Sequence, residues 1–343
     1  MHNWGIIGHS WAIESLRSSI VEKRIAHAYL ISGTAQLGKA LLALRIAQAL
    51  NCNQAQADPC LECRSCRRIE RGNHPDVRIA GMATQTAGLK PEEALRQRDL
   101  RIDTIREWQR DITLRPYEGQ QRVFILHDAE RLNDASSNAM LKTLEEPPPY
   151  ATLILVANTA GDLLPTIVSR CRPLKLRLVP RAEISQALQE RYNLSSSDAH
   201  MLAAWSAGRP GWAIHMVQSP EALEERQTQL DSLAALTELP LSQSFRWAEE
   251  QAKQFRSDQR EVYALLELWQ SWWRDVLMLA AGCEQAIVFV DRRSELEHYA
   301  RRYPLADIHA CVQRIGAASQ RMRENLNPQL ALEHVLLHMP VQK

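Results

Sequence analysis

Cys52, Cys60, Cys63 and Cys66 stand in the spacing C-x7-C-x2-C-x2-C. Tetrahedral zinc takes four thiolates, and paired C-x2-C steps let a tight turn present its sulfurs to one ion. A redox thiol pair is the alternative, but redox motifs normally use two cysteines rather than four. Four protein ligands would close the coordination sphere, so the expected Zn2+ is structural and holds a short loop too small to bury a core. Cys171, Cys283 and Cys311 are scattered through the rest of the chain and read as ordinary thiols.

Just upstream lies Gly33-Thr-Ala-Gln-Leu-Gly38-Lys39, which has the G-x-x-x-x-G-K spacing of a phosphate loop. Such a loop aims backbone N–H groups at phosphates, its lysine reaches the β and γ oxygens, and a following Ser or Thr hydroxyl holds Mg2+. Here the following residue is Ala40. Gly33, Gly38 and Lys39 are therefore candidate ATP or ADP ligands in a degenerate site, and hydrolysis is not expected. A plain glycine turn between strand and helix is the other reading. The apolar run Val123-Phe-Ile-Leu ends at His127 and Asp128, where nucleotide-hydrolysing folds place a Mg2+ ligand. The next position, usually a Glu that activates water, is Ala129, and Glu130 is displaced by one. Asp128 is thus either a metal ligand or a cap or turn residue, and two catalytic positions are vacant.

These motifs need elements to hold them. Apolar runs at Ala28–Ser32, Asp76–Ala80, Arg122–Leu126, Thr152–Ala157 and Leu174–Val179 predict five strands, separated by segments of helical period. Ala40 to Leu50 reads as a helix. Ile102, Ile105 and Ile112 mark one helix face, and Ala139, Leu141 and Leu144 another. Strands alternating with helices predict a largely parallel sheet covered on both sides. Residues 80–100 are polar and read as an exposed insertion. From Arg181 onward apolar residues recur at three and four with no convincing strand, so the remainder is expected to be helical.

The 343 residues, 45% apolar and 24% charged, suit a soluble globular protein of two or three domains. The net charge of +1 excludes nucleic-acid binding by bulk charge, so any DNA contact must be local or shared with partners. The chain shows no basic-then-apolar leader and no run long enough to span a membrane, which with the thiolate cluster favours the cytoplasm. Trp269, Trp272 and Trp273 lie in Leu265-Leu-Glu-Leu-Trp269-Gln-Ser-Trp272-Trp273, a helical pattern that predicts a core or an interface rather than base stacking.

The run Asn138-Ala-Met-Leu-Lys-Thr-Leu-Glu-Glu-Pro147-Pro, followed by Leu164-Pro-Thr-Ile-Val-Ser169-Arg170-Cys171, resembles the AAA+ clamp-loader family of bacterial DNA replication. His27-Ala-Tyr-Leu, Asn73-His74-Pro75-Asp76, Ile102-Asp103-Thr-Ile-Arg106, Gly208-Arg209-Pro210-Gly211 and Asn327-Pro328-Gln-Leu-Ala-Leu-Glu333 extend the resemblance over nearly the whole chain. It implies a RecA-like α/β module with a zinc insertion at residues 1–180, a helical lid at 181–240 and an all-α collar at 241–343.

In that family Arg170 falls on the arginine finger, which reaches across a subunit interface to ATP bound by a neighbour. A guanidinium suits the task because it is permanently charged, planar and able to offer paired hydrogen bonds. Arg209 falls on the lid arginine, Asn158 or Thr159 on the γ-phosphate sensor, and Lys142 on a DNA-backbone contact. The implied function is a stator subunit that supplies Arg170 in trans and helps load the sliding clamp onto primed DNA, without polymerase or ATPase activity alone. Implied partners are gamma/tau and delta subunits in a heteropentamer, the clamp, and primer–template DNA through the assembled complex. An ATP-hydrolysing gamma/tau-type subunit shares the zinc module and the Ser-Arg-Cys segment, but Ala40 and Ala129 argue against it. A free-standing nucleotide-binding regulator is the third reading, opposed by the collar-like end.

Overall fold

In the computed structural model, which describes residues 4–54, 57–90, 93–94 and 97–340, five strands form one sheet in the order β2-β3-β4-β1-β5. They are β1 (Ala28–Ser32), β2 (Val77–Ala80), β3 (Arg122–Leu126), β4 (Ala151–Ala157) and β5 (Arg172–Lys175). All their pairings are parallel. Parallel neighbours need crossovers, and helices supply them on both faces. Tyr29, Ile31, Val123, Ile125, Ile154 and Val156 meet α1 (Ser10–Val21) and α2 (Lys39–Asn51) on one side. The alternate residues Leu30, Phe124, Leu126, Leu153 and Leu155 meet α5 (Ile102–Asp111) and α6 (Asp134–Glu145) on the other. Burial on both faces is why these strands read as unbroken apolar runs. The result is the RecA-like AAA+ arrangement, with the loop after β1 at the carboxyl edge of the sheet.

Three local expectations need correction. The fifth strand is Arg172–Lys175 rather than Leu174–Val179, because its register on β1 pairs Tyr29 with Arg172 and Ser32 with Lys175. Leu176 still donates to the Ser32 carbonyl at 2.8 Å and is buried, but Leu178 beyond it is 59% exposed. On α6 the core positions are Met140 and Leu144, while Ala139 and Leu141 are half-buried. Residues 80–100 are not wholly exposed: α4 spans Met82–Thr86, and Leu100, bridged to Leu132, is buried.

The zinc-type segment adds α3 (Arg64–Glu70) between α2 and β2. Behind it, two buried polar side chains hold the loop that precedes β3. The Asp76 carboxylate accepts the N–H groups of Tyr117 at 2.7 Å, Glu118 at 2.9 Å and Gly119 at 2.8 Å. Asn51 Oδ1 accepts those of Gln120 at 2.9 Å and Gln121 at 3.0 Å. Burial alone would push the Asp76 pKa up, but the three N–H donors and neighbouring His74 outweigh it and hold the group below the usual carboxylate value. Its folded pKa thus lies below its unfolded one, so the unfolded state binds more protons as pH falls. The stabilisation is complete above the unfolded pKa, near 4, and disappears as pH drops through the lower folded value. Asp76→Ala is expected to cost about 3 kcal/mol at neutral pH, read by denaturant unfolding, and to flatten the acid limb of the stability curve.

The chain divides into two compact units, the first running through Ile184 and including Gly208–Gly211, the second comprising Ser185–Ala207 and the residues from Trp212. Four helices, α8 (Arg181–Tyr192), α9 (Ser196–Trp205), α10 (Pro210–Gln218) and α11 (Pro220–Ala235), follow β5, and within the second unit α12 (Leu241–Ser257), α13 (Gln259–Ala280), α14 (Arg293–Arg302), α15 (Leu305–Arg323) and α16 (Pro328–Leu337) form a helical assembly. Trp269, Trp272 and Trp273 are fully buried on α13, where Trp272 meets Phe289 and Trp273 meets Tyr299 and Tyr303. They are core residues and unavailable for stacking on a base. Asp275, fully buried, accepts the N–H groups of Val288 at 2.6 Å and Phe289 at 2.8 Å and so fixes the chain after α13.

Candidate functional site

The sequence between β1 and α2 folds as a tight loop because its two glycines take conformations that side chains resist. Gly33 has φ 147°, and a Cβ there would lie 2.7 Å from the Leu176 carbonyl oxygen. Gly38, at φ 89°, is the residue from which α2 starts. Leu37 between them is buried in the core and anchors the loop from inside.

Lys39 is also buried, and its ammonium turns back into the loop. Nζ donates to the Gly33 carbonyl at 2.5 Å, the Thr34 carbonyl at 2.7 Å and Asn158 Oδ1 at 2.9 Å. An ammonium has three N–H donors, and three acceptors of this chain engage them. Burial lowers the Lys39 pKa, while the carboxylates of Glu130 and Asp128 act to raise it. Asn158 in turn donates through Nδ2 to Glu130 Oε1 at 2.6 Å. Lys39, Asn158 and Glu130 therefore form one chain of hydrogen bonds across the carboxyl edge of the sheet.

Asp128 stands beside this chain rather than in it. It adopts left-handed backbone conformation at φ 54°, and its Oδ2 accepts the Met82 N–H at the start of α4 at 3.0 Å. Ala40 and Ala129 supply neither a hydroxyl nor a carboxylate. Glu130, displaced by one residue from the water-activating position, is taken up by the Asn158 amide. A carboxylate following a vacant acid position, with an Asn at the end of the next strand, is the signal by which this pairing could have been read.

The four cysteines converge at the far end of α2. Their sulfurs all lie within 4.8 Å of one another, and Cys60 Sγ is 3.9 Å from Cys66 Sγ. Zinc–sulfur bonds of about 2.3 Å in a tetrahedron give sulfur–sulfur edges of about 3.8 Å, so the set fits the ion. Backbone N–H groups already point at the sulfurs. Cys63 donates to Cys60 Sγ at 3.3 Å, and Cys66 to Cys63 Sγ at 3.4 Å, the latter capping α3. Burial pushes the Cys60 and Cys66 thiols up, whereas at Cys63 the N–H donors of Cys66 and Asn53 outweigh burial and bring the thiol down to about 6; a bound cation would favour thiolate at all four.

Arg170 follows α7 (Pro165–Val168) at the surface of the same unit. Its Nη2 donates to Glu145 Oε1 at 2.7 Å and its Nη1 to the Thr166 carbonyl at 2.9 Å. Glu145 belongs to the Leu-Glu-Glu-Pro-Pro run, so the two sequence segments that carry the resemblance meet in one half-exposed ion pair. Burial pushes the neighbouring Cys171 thiol up to about 12, making it a core anchor for the arginine rather than a reactive group. Lys142 on α6 and Thr159 are both exposed. Arg209 lies in a turn where the Gly208 carbonyl accepts the Val179 N–H at 2.9 Å.

The sequence profile described as DNA polymerase III, delta subunit, matches residues 8–180, and the one described as DNA polymerase III, delta subunit, C terminal, matches residues 220–340. DNA polymerase III subunit delta' of Bacillus subtilis is 27% identical over 322 residues, 94% of this chain and 93% of that protein. The delta' subunit of Pseudomonas aeruginosa is 38% identical over 147 residues, 43% of this chain and 42% of its own length. The tau/gamma subunit of Haemophilus influenzae is 33% identical over 184 residues, 53% of this chain but 25% of that protein. Among the described residues no helix is long and apolar enough to cross a membrane.

Proposed function

Because the chain belongs to the delta-prime clamp-loader subunits of DNA polymerase III, we propose that it is the stator of a heteropentameric loader in the bacterial cytoplasm. It completes a ring with gamma/tau and delta subunits, presents Arg170 to ATP held by a neighbour, and helps seat the sliding clamp on primer–template DNA. Residues 1–180 serve as the AAA+ module, 181–240 as lid and 241–343 as collar. The chain itself neither polymerises nucleotides nor hydrolyses ATP.

The observation that carries this reading is the state of Lys39. Its three donors are engaged by Gly33, Thr34 and Asn158, so a γ-phosphate would have to compete for an ammonium already satisfied. With Ala40 and Ala129 on either side, neither a metal-ligating hydroxyl nor a water-activating carboxylate stands where hydrolysis needs it. Cys52, Cys60, Cys63 and Cys66 would hold one Zn2+ in a closed sphere, and the ion would supply structure rather than Lewis-acid chemistry.

The purified chain is expected to show no ATP turnover above background, with or without primed DNA. Turnover that disappears in Lys39→Ala would overturn the stator reading and favour a gamma/tau-type ATPase. Assembly provides the second arm of the test: mixed with gamma/tau and delta subunits, the chain should co-elute with them and raise their DNA- and clamp-stimulated hydrolysis.

A further inference from the structure

Helix α3 carries a face unrelated to the cysteines. Arg71 continues the right-handed helical backbone beyond Glu70. At about 100° per residue, Arg64, Arg67, Arg68 and Arg71 fall within an arc of about 100°. Ser65, Cys66 and Ile69 form the buried side. The helix acid, Glu70, is taken up by Arg45 at 2.6 Å and Gln48 at 2.9 Å. Arg68 pairs with Glu118 and donates to the Asn73 carbonyl at 3.0 Å. Arg64, Arg67 and Arg71 are exposed, with no ion-pair partner among the described residues.

The Arg68–Glu118 pair ties this face to the loop held by Asp76 and Asn51. Five backbone N–H groups of that loop, from Tyr117 to Gln121, are bound by those two buried side chains. The loop backbone is thereby fixed, and from it Tyr117 stands 85% exposed next to the residue that meets Arg68. Arg115 on the same loop is exposed as well. A ring held in water by a rigid loop, beside uncompensated guanidinium groups, has the two parts that recognise a single strand: cations for phosphates and a flat platform for a base.

We propose that the arginine face of α3 and Tyr117 form a binding surface for single-stranded DNA on this subunit, separate from Arg170 and the phosphate loop. Guanidinium groups of Arg64, Arg67 and Arg71 take backbone phosphates, and the phenol ring stacks on a base. The alternative occupant, an acidic protein segment, would use the arginines equally but gain nothing from an upright aromatic ring. Zn2+ on four thiolates would leave a net charge of 2− beneath the helix, so part of the arginine charge balances the cluster; the exposed three still direct their donors to solvent. A local patch of this kind is compatible with a chain whose net charge is only +1.

The test is fluorescence anisotropy of the whole zinc-loaded chain with a labelled oligothymidylate at several salt concentrations. Three phosphate contacts predict a log–log salt slope of about −2. Replacing Arg64, Arg67 and Arg71 together with Ala should weaken binding at least about 10-fold at low salt and bring the slope near zero. Tyr117→Ala should weaken it about 10-fold at unchanged slope, and Tyr117→Phe should retain wild-type affinity. Zinc content and far-ultraviolet circular dichroism check the fold of the triple variant; if it loses metal, the two Tyr117 variants decide. No binding by the wild-type chain, or undiminished binding by a zinc-loaded triple variant, overturns the proposal. Full displacement by oligoglutamate together with indifference to Tyr117→Ala would also overturn it, and assign the surface to an acidic protein.

Discussion

A loader assembled with Arg170→Ala is expected to hold together as a pentamer and to lose most of its clamp-loading activity. The side chain is half-exposed and its ion pair with Glu145 joins two surface groups, so its removal costs less than about 1 kcal/mol of stability. The chemical loss is far larger. In the proposed role of a trans arginine finger, Arg170 would contribute on the order of 1,000-fold to hydrolysis at the neighbouring site by stabilising charge that develops on the transferred phosphate. Other sites in the ring keep their own fingers, so bulk ATPase falls only a few-fold, whereas loading, which needs the sites to act together, falls further. Arg170→Lys should rescue poorly because a point charge lacks the planar fork. The measurement is clamp loading and ATPase on the same gel-filtered complex. Wild-type loading by an intact Arg170→Ala pentamer would reduce the chain to a passive brace.

Loss of the metal should have the second largest effect. Wild-type protein is expected to contain about one equivalent of zinc, and Cys63→Ser with Cys66→Ser to contain almost none. Structural zinc contributes about 10–16 kcal/mol to folding in zinc-finger peptides, so the segment around α3 has little to replace it with. Its own core consists of the cysteines themselves. The double variant should therefore unfold at lower denaturant concentration and precipitate more readily. Elemental analysis with chemical denaturation reads both effects, and full zinc occupancy in the double variant would place the ligands elsewhere.

How much of this was legible in the sequence depends on the range of the interaction. The glycine spacing of residues 33–39 and the cysteine spacing of residues 52–66 are local, and the loop and the cluster follow from them directly. The central strands β1, β3 and β4 lie within a residue of the apolar runs because they are buried on both faces; edge strand β2, with Val77 and Ala80 buried, also lies within a residue of its run. The fifth is an edge strand in which only Leu174 is buried, so its boundary was set by pairing with β1 and not by its own pattern. Longer-range polar contacts left no local trace. Nothing near Asn51 or Asp76 announces that they hold residues 117–121, and nothing near Glu145 announces Arg170. The vacancies at Ala40 and Ala129 were visible at once, but the occupation of Lys39 by its own loop required coordinates, because it depends on Asn158, which follows the neighbouring strand β4 and is distant only in sequence.

Helix α2 has the phosphate loop at one end and the cysteine cluster at the other, since Lys39 opens it and Cys52 follows its last residue. At about 1.5 Å per residue it is a rod of about 20 Å, and its turn angle sets the direction in which each end faces. One inserted residue would rotate everything beyond it by about 100°. Asn51 would leave the loop it holds, and Cys52 would swing out of the cluster. The number of residues in α2 is thus a gauge that keeps the two ends in phase. Ala40 is its one exposed position, so both the sequence and the length of the helix are constrained, and the module at its end is indexed to the loop at its start.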